Sequence, residues 1–257
     1  MQRNIVMERI GDSIAHIKID RPEARNALNM AVREELAEAF NNLACDTSFR
    51  SVVLSGEGGN FCGGADLKEM ADVDAIEMYL RHTERLWAAI ASCPLPVIAA
   101  INGYALGGGL ELAMHTDIIV VDSSARLGQP EVRVGIMPGA GGTQRLQRAV
   151  GRYRAMLLCL TGEIISGEQA GAMGLASKVV PDGSAVKEAL IIAGRIAAMP
   201  PIAVAQIKEV MLAGADGPLA TGLMLERKAF QLLFSSADQK EGLSAFLEKR
   251  NPSYKGR

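Results

Sequence analysis

Between Pro96 and Met114 the chain reads PVIAAINGYALGGGLELAM: an apolar run, three consecutive glycines, then a second apolar stretch holding one acid, Glu111. Few folds accept that order. An uninterrupted apolar run at Pro96–Ile101 belongs to a strand covered on both faces. Gly107-Gly108-Gly109 strips every Cβ from the following turn, so that a ligand can approach the backbone closely. Glu111 lies three residues beyond Gly108, within the first turn of the next helix, where backbone N–H groups have no intrahelical partner. A second acid, Glu131, follows Gln129-Pro130 on a segment bounded by Gly128 and Gly135.

The same order occurs earlier in the chain. Ser51–Ser55 (SVVLS) reads as a short buried strand, and the glycine-rich GEGGNFCGGADLKEM (Gly56 to Met70) ends where a helix could begin, near Ala65 or Asp66. Ala75–Ser92 is expected to be helical, and Asp117–Val121 strand-like. Strands alternating with helices imply an α/β fold with a mostly parallel, covered sheet. If the strands of the two units are neighbours, Gly63-Gly64-Ala65 and Gly107-Gly108-Gly109 lie at one sheet edge. N–H groups from both turns then converge on one oxygen, as an oxyanion hole for a thioester or ester carbonyl. One such donor is typically worth ~3 kcal/mol in the transition state.

Ahead of these units, Ile5–Arg9 and Ile14–Asp20 alternate around Gly11-Asp12-Ser13, a hairpin pattern. Asn29 is placed to cap a helix whose stripe is Val32, Leu36, Phe40 and Leu43. From about Gly142 the pattern turns helical, with a strand-like break at Ser177–Val180. Pro201–Lys249 reads as three helices separated at Gly214–Pro218 and Ser235–Ala237.

Several classes of function are disfavoured. A net charge of −2 offers no electrostatic case for nucleic acid or an anionic membrane. No complete G-x-G-x-x-G, P-loop or G-x-S-x-G sequence occurs. Cys45, Cys62, Cys93 and Cys159 show no zinc spacing and read as free thiols of a reducing compartment. No metal site is expected. The N-terminal residues lack a signal pattern and no run reaches membrane-span length, so a cytoplasmic location is expected. His16, His82 and His115 are each isolated and read as packed or solvated residues, which leaves acid–base work to Glu111 and Glu131.

FCGGADLKEM, INGYALGGGLELAM, GQPEVRVGIMPGAGGTQRL and EGLSAFLEKR, in that order, resemble the enoyl-CoA hydratase/isomerase (crotonase) superfamily over essentially the whole chain. The resemblance implies a crotonase-like ββα-superhelix (spiral) core over residues 1–195 and a C-terminal helical trimerisation region over 196–257. It assigns the thioester oxygen to the N–H groups of Ala65 and Gly108, and the two hydratase carboxylates to Glu111 and Glu131. Gly63, Ala65, Asp66, Leu67 and Lys68 match the segment lining the adenine and phosphate end of coenzyme A, with Arg25 a further phosphate candidate. Phe230 and Lys249 match positions that close over the acyl chain and reach a CoA phosphate, often from a neighbouring subunit. No cofactor is implied beyond coenzyme A as part of the acyl-CoA substrate, and the implied assembly is a homotrimer or a hexamer made of two trimers.

Both glutamates together favour hydration of a 2-enoyl-CoA to a 3-hydroxyacyl-CoA. A double-bond isomerase of the same fold can work with one carboxylate. A CoA-ester or RNA-binding member with little catalysis is the alternative of another class; its RNA-binding form uses a lysine-rich helix, whereas Leu67–Arg85 holds one lysine and several acids. Met70, Ala71, Trp87, Ile136 and Met137 are expected around the acyl pocket. The GIMPGAGGTQRL segment and the tail are similar to hydratases acting on 2,3-dehydroadipyl-CoA in phenylacetate breakdown; for such a carboxylate-ended chain, Arg133 is the basic candidate.

Overall fold

The computed structural model describes residues 3–257. β1 (Ile5–Ile10) and β2 (Ile14–Ile19) form the expected antiparallel hairpin, with Ile5 opposite Ile19 and Ile10 opposite Ile14. The turn between them is possible because Gly11 takes a left-handed φ of 57°. The Asn29 side chain accepts from the N–H of Val32 and starts α1 (Met30–Cys45), whose stripe Val32, Leu36, Phe40 and Leu43 is buried.

Next come β3 (Ser51–Gly56), a long glycine loop, α2 (Ala75–Leu80) and α3 (Thr83–Ala91). Two expectations need correcting in this region. The helix expected from Ala65 or Asp66 is one tight turn at Leu67–Glu69, with the Asp66 carboxylate accepting from the N–H of Lys68. The continuous helix expected over Ala75–Ser92 is broken at His82, which adopts φ 45°, ψ 40°. His82 therefore sits at a helix break.

β4 (Val97–Ile101), β5 (Tyr104–Leu106) and α4 (Gly108–Met114) follow, then β6 (Ile118–Asp122) and β7 (Arg126–Gly128). α5 (Gly142–Val150) and α6 (Arg152–Thr161) are separated at Gly151, and β8 (Ile164–Ser166), α7 (Gly167–Met173) and β9 (Lys178–Val180) lead to α8 (Ala185–Ala197). α9 (Pro201–Ala215), α10 (Leu219–Leu233) and α11 (Ala237–Glu248) are the three terminal helices expected from the sequence.

The large sheet has the order β1-β2-β3-β4-β6-β9, parallel except for the first hairpin, and a small sheet has the order β5-β7-β8. Each turn of the chain passes from a large-sheet strand to a small-sheet strand and on to a helix: β4, β5, α4, then β6, β7, α5. Cys62, bridged to Ala105, is a rudimentary small-sheet strand for the preceding turn. This is the ββα spiral that the resemblance implies.

Both faces of the large sheet are covered, which is why its strands read as apolar without alternation. Val52, Leu54, Val97, Ala99 and Ile101 pack into the main core with α1 and α3. Val53, Ile98, Ala100 and Val120 pack against α8, where Ala185, Ala189 and Ala193 recur every four residues and let the helix lie close. Buried Asp122 caps that helix, accepting from the N–H groups of Gly183, Ser184 and Ala185.

Candidate active site

Because β3 and β4 are adjacent and parallel, the loops that follow them leave the same sheet edge. Hydrogen bonds stitch the two loops together: the Cys62 N–H donates to Tyr104 O at 2.8 Å, and the Leu106 N–H to Cys62 O at 3.1 Å. On its other side the first loop is tied to the segment before α1, through Gly63 N–H to Arg25 O, Leu28 N–H to Gly64 O and Asp66 N–H to Leu28 O. Asn26 is fully buried beneath both. Its amide donates to Glu57 O and Asn60 O, and its oxygen accepts from the Arg21 N–H.

The glycines are required by this proximity. A methyl group on Gly64 would stand 2.9 Å from Leu106 O, and one on Gly109 would collide with the backbone of Cys62. A methyl group on Gly108 would lie 3.4 Å from Ala65 N, so the backbones of Ala65 and Gly108 meet at the edge of one cleft. Neither N–H donates to an acceptor among the described residues. Gly108 opens α4, where the missing partner follows from helix geometry.

Glu111 is 3% exposed. Its Oε1 accepts from the N–H groups of Ala140 (2.7 Å) and Gly142 (2.8 Å), which fixes the carboxyl in the cleft lining and leaves Oε2 without a partner among the described residues. Burial raises its pKa, while those two bonds and the nearby charge of Arg33 favour the ionised form. Glu131 stands on the single turn Pro130–Val134, half-buried on the other side of the cleft. Its pKa is pushed up to about 7, first by burial and further by the charge of Glu111, against a pull downward from its own backbone N–H. The buried Gln129 amide, oriented by its hydrogen-bond partners, donates to the two Glu131 oxygens at 2.8 and 3.1 Å. Gly107, at φ 50°, ψ −123°, lets that carboxyl approach: a methyl group there would stand 3.0 Å from Glu131 Oε1.

The cleft is about 340 Å³. Of the expected acyl-pocket residues, Met70, Trp87, Ile136 and Met137 line it. Ala71 does not line it and is exposed. Gly63, Ala65 and Leu67 also line the cleft. Asp66 and Lys68 are outside the lining: Asp66 is held 3.3 Å from an Arg21 guanidinium nitrogen, and Lys68 is exposed. Arg25 adjoins Gly63 and lies over the Tyr104 ring. Phe230 is 60% exposed on α10, edge-on to Phe234, and Lys249 is exposed beyond α11; neither lines this cleft.

Of the histidines, His16 is buried against the Ser55 hydroxyl at 2.8 Å. His115 stacks on Trp87 behind the cleft and is held neutral, its pKa pushed down to about 4 by burial. Among the described residues, no group of three or more His, Cys, Asp or Glu side chains could hold a metal ion. Asn26, Gln129 and Arg33 were not singled out from the sequence. The proximity of Gln129 to Glu131 in the chain was visible, but nothing in the sequence marked Asn26 or Arg33.

Residues 9–257 match the family described as enoyl-CoA hydratase/isomerase. The chain is 43% identical to the 2,3-dehydroadipyl-CoA hydratase of Escherichia coli (strain K12) over 241 residues, 94% of each chain. Its fold superposes with a TM-score of 0.95 on a solved enoyl-CoA hydratase subunit from Geobacillus kaustophilus HTA426, at 41% identity over 99% of this chain and 98% of the other. The enoyl-CoA hydratase of Bacillus anthracis gives 0.94 at 40% identity, over 99% of this chain and 100% of the other.

Proposed function

The chain belongs to the enoyl-CoA hydratase/isomerase family, and from that premise we infer that it is a hydro-lyase adding water across the 2,3 double bond of a 2-enoyl-CoA thioester to give a 3-hydroxyacyl-CoA. The observation that carries this reading is the pair of carboxyl groups, Glu111 and Glu131, on one cleft beside two backbone N–H groups that the fold leaves without acceptors.

In the proposed mechanism the thioester oxygen accepts from Ala65 and Gly108. Attack of water at Cβ moves charge onto that oxygen as an enolate, and these fixed donors stabilise it. Glu111, ionised and pinned through Oε1, uses its free oxygen to orient the water and take its proton. Glu131, with a pKa near neutrality, holds the proton delivered to Cα. Burial and the charge of Glu111 both disfavour ionisation of Glu131, so the pair retains one proton near neutrality. The backbone bonds on Glu111 place that proton on Glu131. The reaction needs no group beyond the coenzyme A that arrives as part of the substrate.

Gly63, Ala65 and Leu67, with Arg25 beside them, form the proposed seat for coenzyme A, and exposed Lys68 lies at its rim. Phe230 and Lys249 are proposed to act on a neighbouring subunit's cleft in a trimer or a pair of trimers. This is supported by α9 and α10, which bury no residue in the single chain, and by an open groove of about 620 Å³ between them. A cytoplasmic setting is proposed from the four cysteines, all free thiols.

The test is turnover of crotonyl-CoA, followed by loss of the conjugated thioester's ultraviolet absorbance, for the natural protein and for Glu111→Gln and Glu131→Gln. The reading predicts rapid hydration and a loss of about a hundredfold or more in each variant. Interconversion of double-bond positions without water addition, abolished by only one of the substitutions, would replace hydration with isomerisation.

A further inference from the structure

Arg33 sits one turn into α1, and its side chain lines the cleft together with Met70, Met78, Thr83 and Trp87. Its stem also borders a small void with Leu36, Leu86 and Ile90. The guanidinium lies 5.8 Å from the centre of the Trp87 ring. Its Nε is buried with no hydrogen-bond partner, and no carboxylate comes within ion-pair distance among the described residues. The nearby Glu69 carboxylate acts on Arg33 through its charge but not through an ion pair, and its Oε2 accepts from the Met30 N–H. Arg21 and Arg81, which are also half-buried, are each held by both a carboxylate and a backbone carbonyl.

A half-buried guanidinium with no carboxylate in ion-pair contact, only the more distant charges of Glu69 and Glu111, is costly, and it is the group best suited to bind a carboxylate through two parallel hydrogen bonds. Its neighbours in the cleft, Met70, Met78 and Trp87, are the apolar lining that an acyl chain would follow. We infer that Arg33 anchors a carboxylate at the far end of the acyl chain, so that the cleft favours ω-carboxylated acyl-CoA thioesters over plain alkanoyl ones; this rests on the acyl-CoA reading of the cleft. Arg133, the basic residue expected from the sequence, also borders the cleft, but it is exposed. A hydrated guanidinium gains little from an ion pair, so Arg33 is the specificity-determining residue of the two.

The experiment measures binding of saturated thioesters, which needs no turnover. Calorimetry compares adipyl-CoA with hexanoyl-CoA, suberyl-CoA with octanoyl-CoA, and acetyl-CoA as the chain-free reference. The natural protein binds the better-fitting dicarboxylic ester roughly 10- to 100-fold more tightly than its plain counterpart. Arg33→Met abolishes that preference, and Arg133→Met retains it. Equal affinity for both members of each pair in the natural protein overturns the inference, whatever the variants do. A loss in Arg33→Met that is as large for acetyl-CoA as for the dicarboxylic esters also overturns it, because Arg33 would then serve the coenzyme A moiety. Crotonyl-CoA turnover in the same preparation reports separately on the hydratase reading.

Discussion

The segments that carry Glu111 and Glu131 bring the same functional group to the same cleft by opposite means. Glu111 comes from a buried helix, and backbone donors at Ala140 and Gly142 hold one of its oxygens. Glu131 comes from a single turn with no buried residue, flanked by Pro130 and Gly135, and is steadied by one amide side chain. Burial raises both pKa values, but only Glu111 has two backbone N–H bonds favouring its charge. In the proposed mechanism these different supports divide the work between identical side chains, Glu111 as base and Glu131 as acid.

The largest expected effect comes from breaking the firmer support. A methyl group on Gly142 would stand 2.8 Å from Glu111 Oε1 and 2.8 Å from Pro138 Cβ, at the point where the backbone holds the carboxylate. Gly142→Ala is predicted to lower kcat on crotonyl-CoA by about a hundredfold with the fold kept, because small misplacement of a catalytic group costs that much. Steady-state kinetics beside a circular dichroism spectrum checks it.

Next is pH. Glu131 must carry its proton and Glu111 must lack one, so activity is predicted to decline as pH rises through about 7 and to fall again on the acid side, where Glu111, its pKa raised by burial, takes up a proton. For Glu131, linkage has the same sign. The folded pKa lies above the unfolded value of 4.5, so the stability this group contributes is complete below that value and is lost as pH rises through about 7. Urea midpoints for the natural protein should fall across that window, and the fall should be smaller in Glu131→Gln.

The smallest effect is expected from loosening the weaker support. Gln129→Leu removes the amide donor from both Glu131 oxygens and should cost about tenfold in kcat with little change in KM. A loss as large as that of Gly142→Ala would show that the two supports are equivalent after all.

Much of the frame that sets up this contrast was legible in the residues. The glycine turns, the Asn29 cap, the covered strands and the three terminal helices all arise from local chemistry: a missing Cβ, a side-chain acceptor, an unbroken apolar run. What escaped notice depends on distant partners. β5, β7 and β8 span three residues each, too few for a pattern. The break at His82 needs a left-handed conformation at a residue that is not glycine, and no sequence signal announces it. Arg33, spaced among Glu34, Glu35 and Glu38, reads as part of a solvated helix face until Trp87 of α3 is brought beside it. Asn26 resembles a turn residue, yet its amide organises the loop that carries Ala65. Ala71, expected at the acyl pocket beside Met70, is exposed, and its neighbour alone lines the cleft.

The division of roles between the two glutamates is tested most directly by titrating the glutamate carboxyl carbons by 13C NMR in the natural protein, Glu111→Gln and Glu131→Gln. The account predicts one carboxyl titrating near pH 7, absent from Glu131→Gln and moved to lower pH in Glu111→Gln, where the neighbouring charge is gone. A near-neutral titration that disappears from Glu111→Gln and persists in Glu131→Gln would reverse the assignment of acid and base.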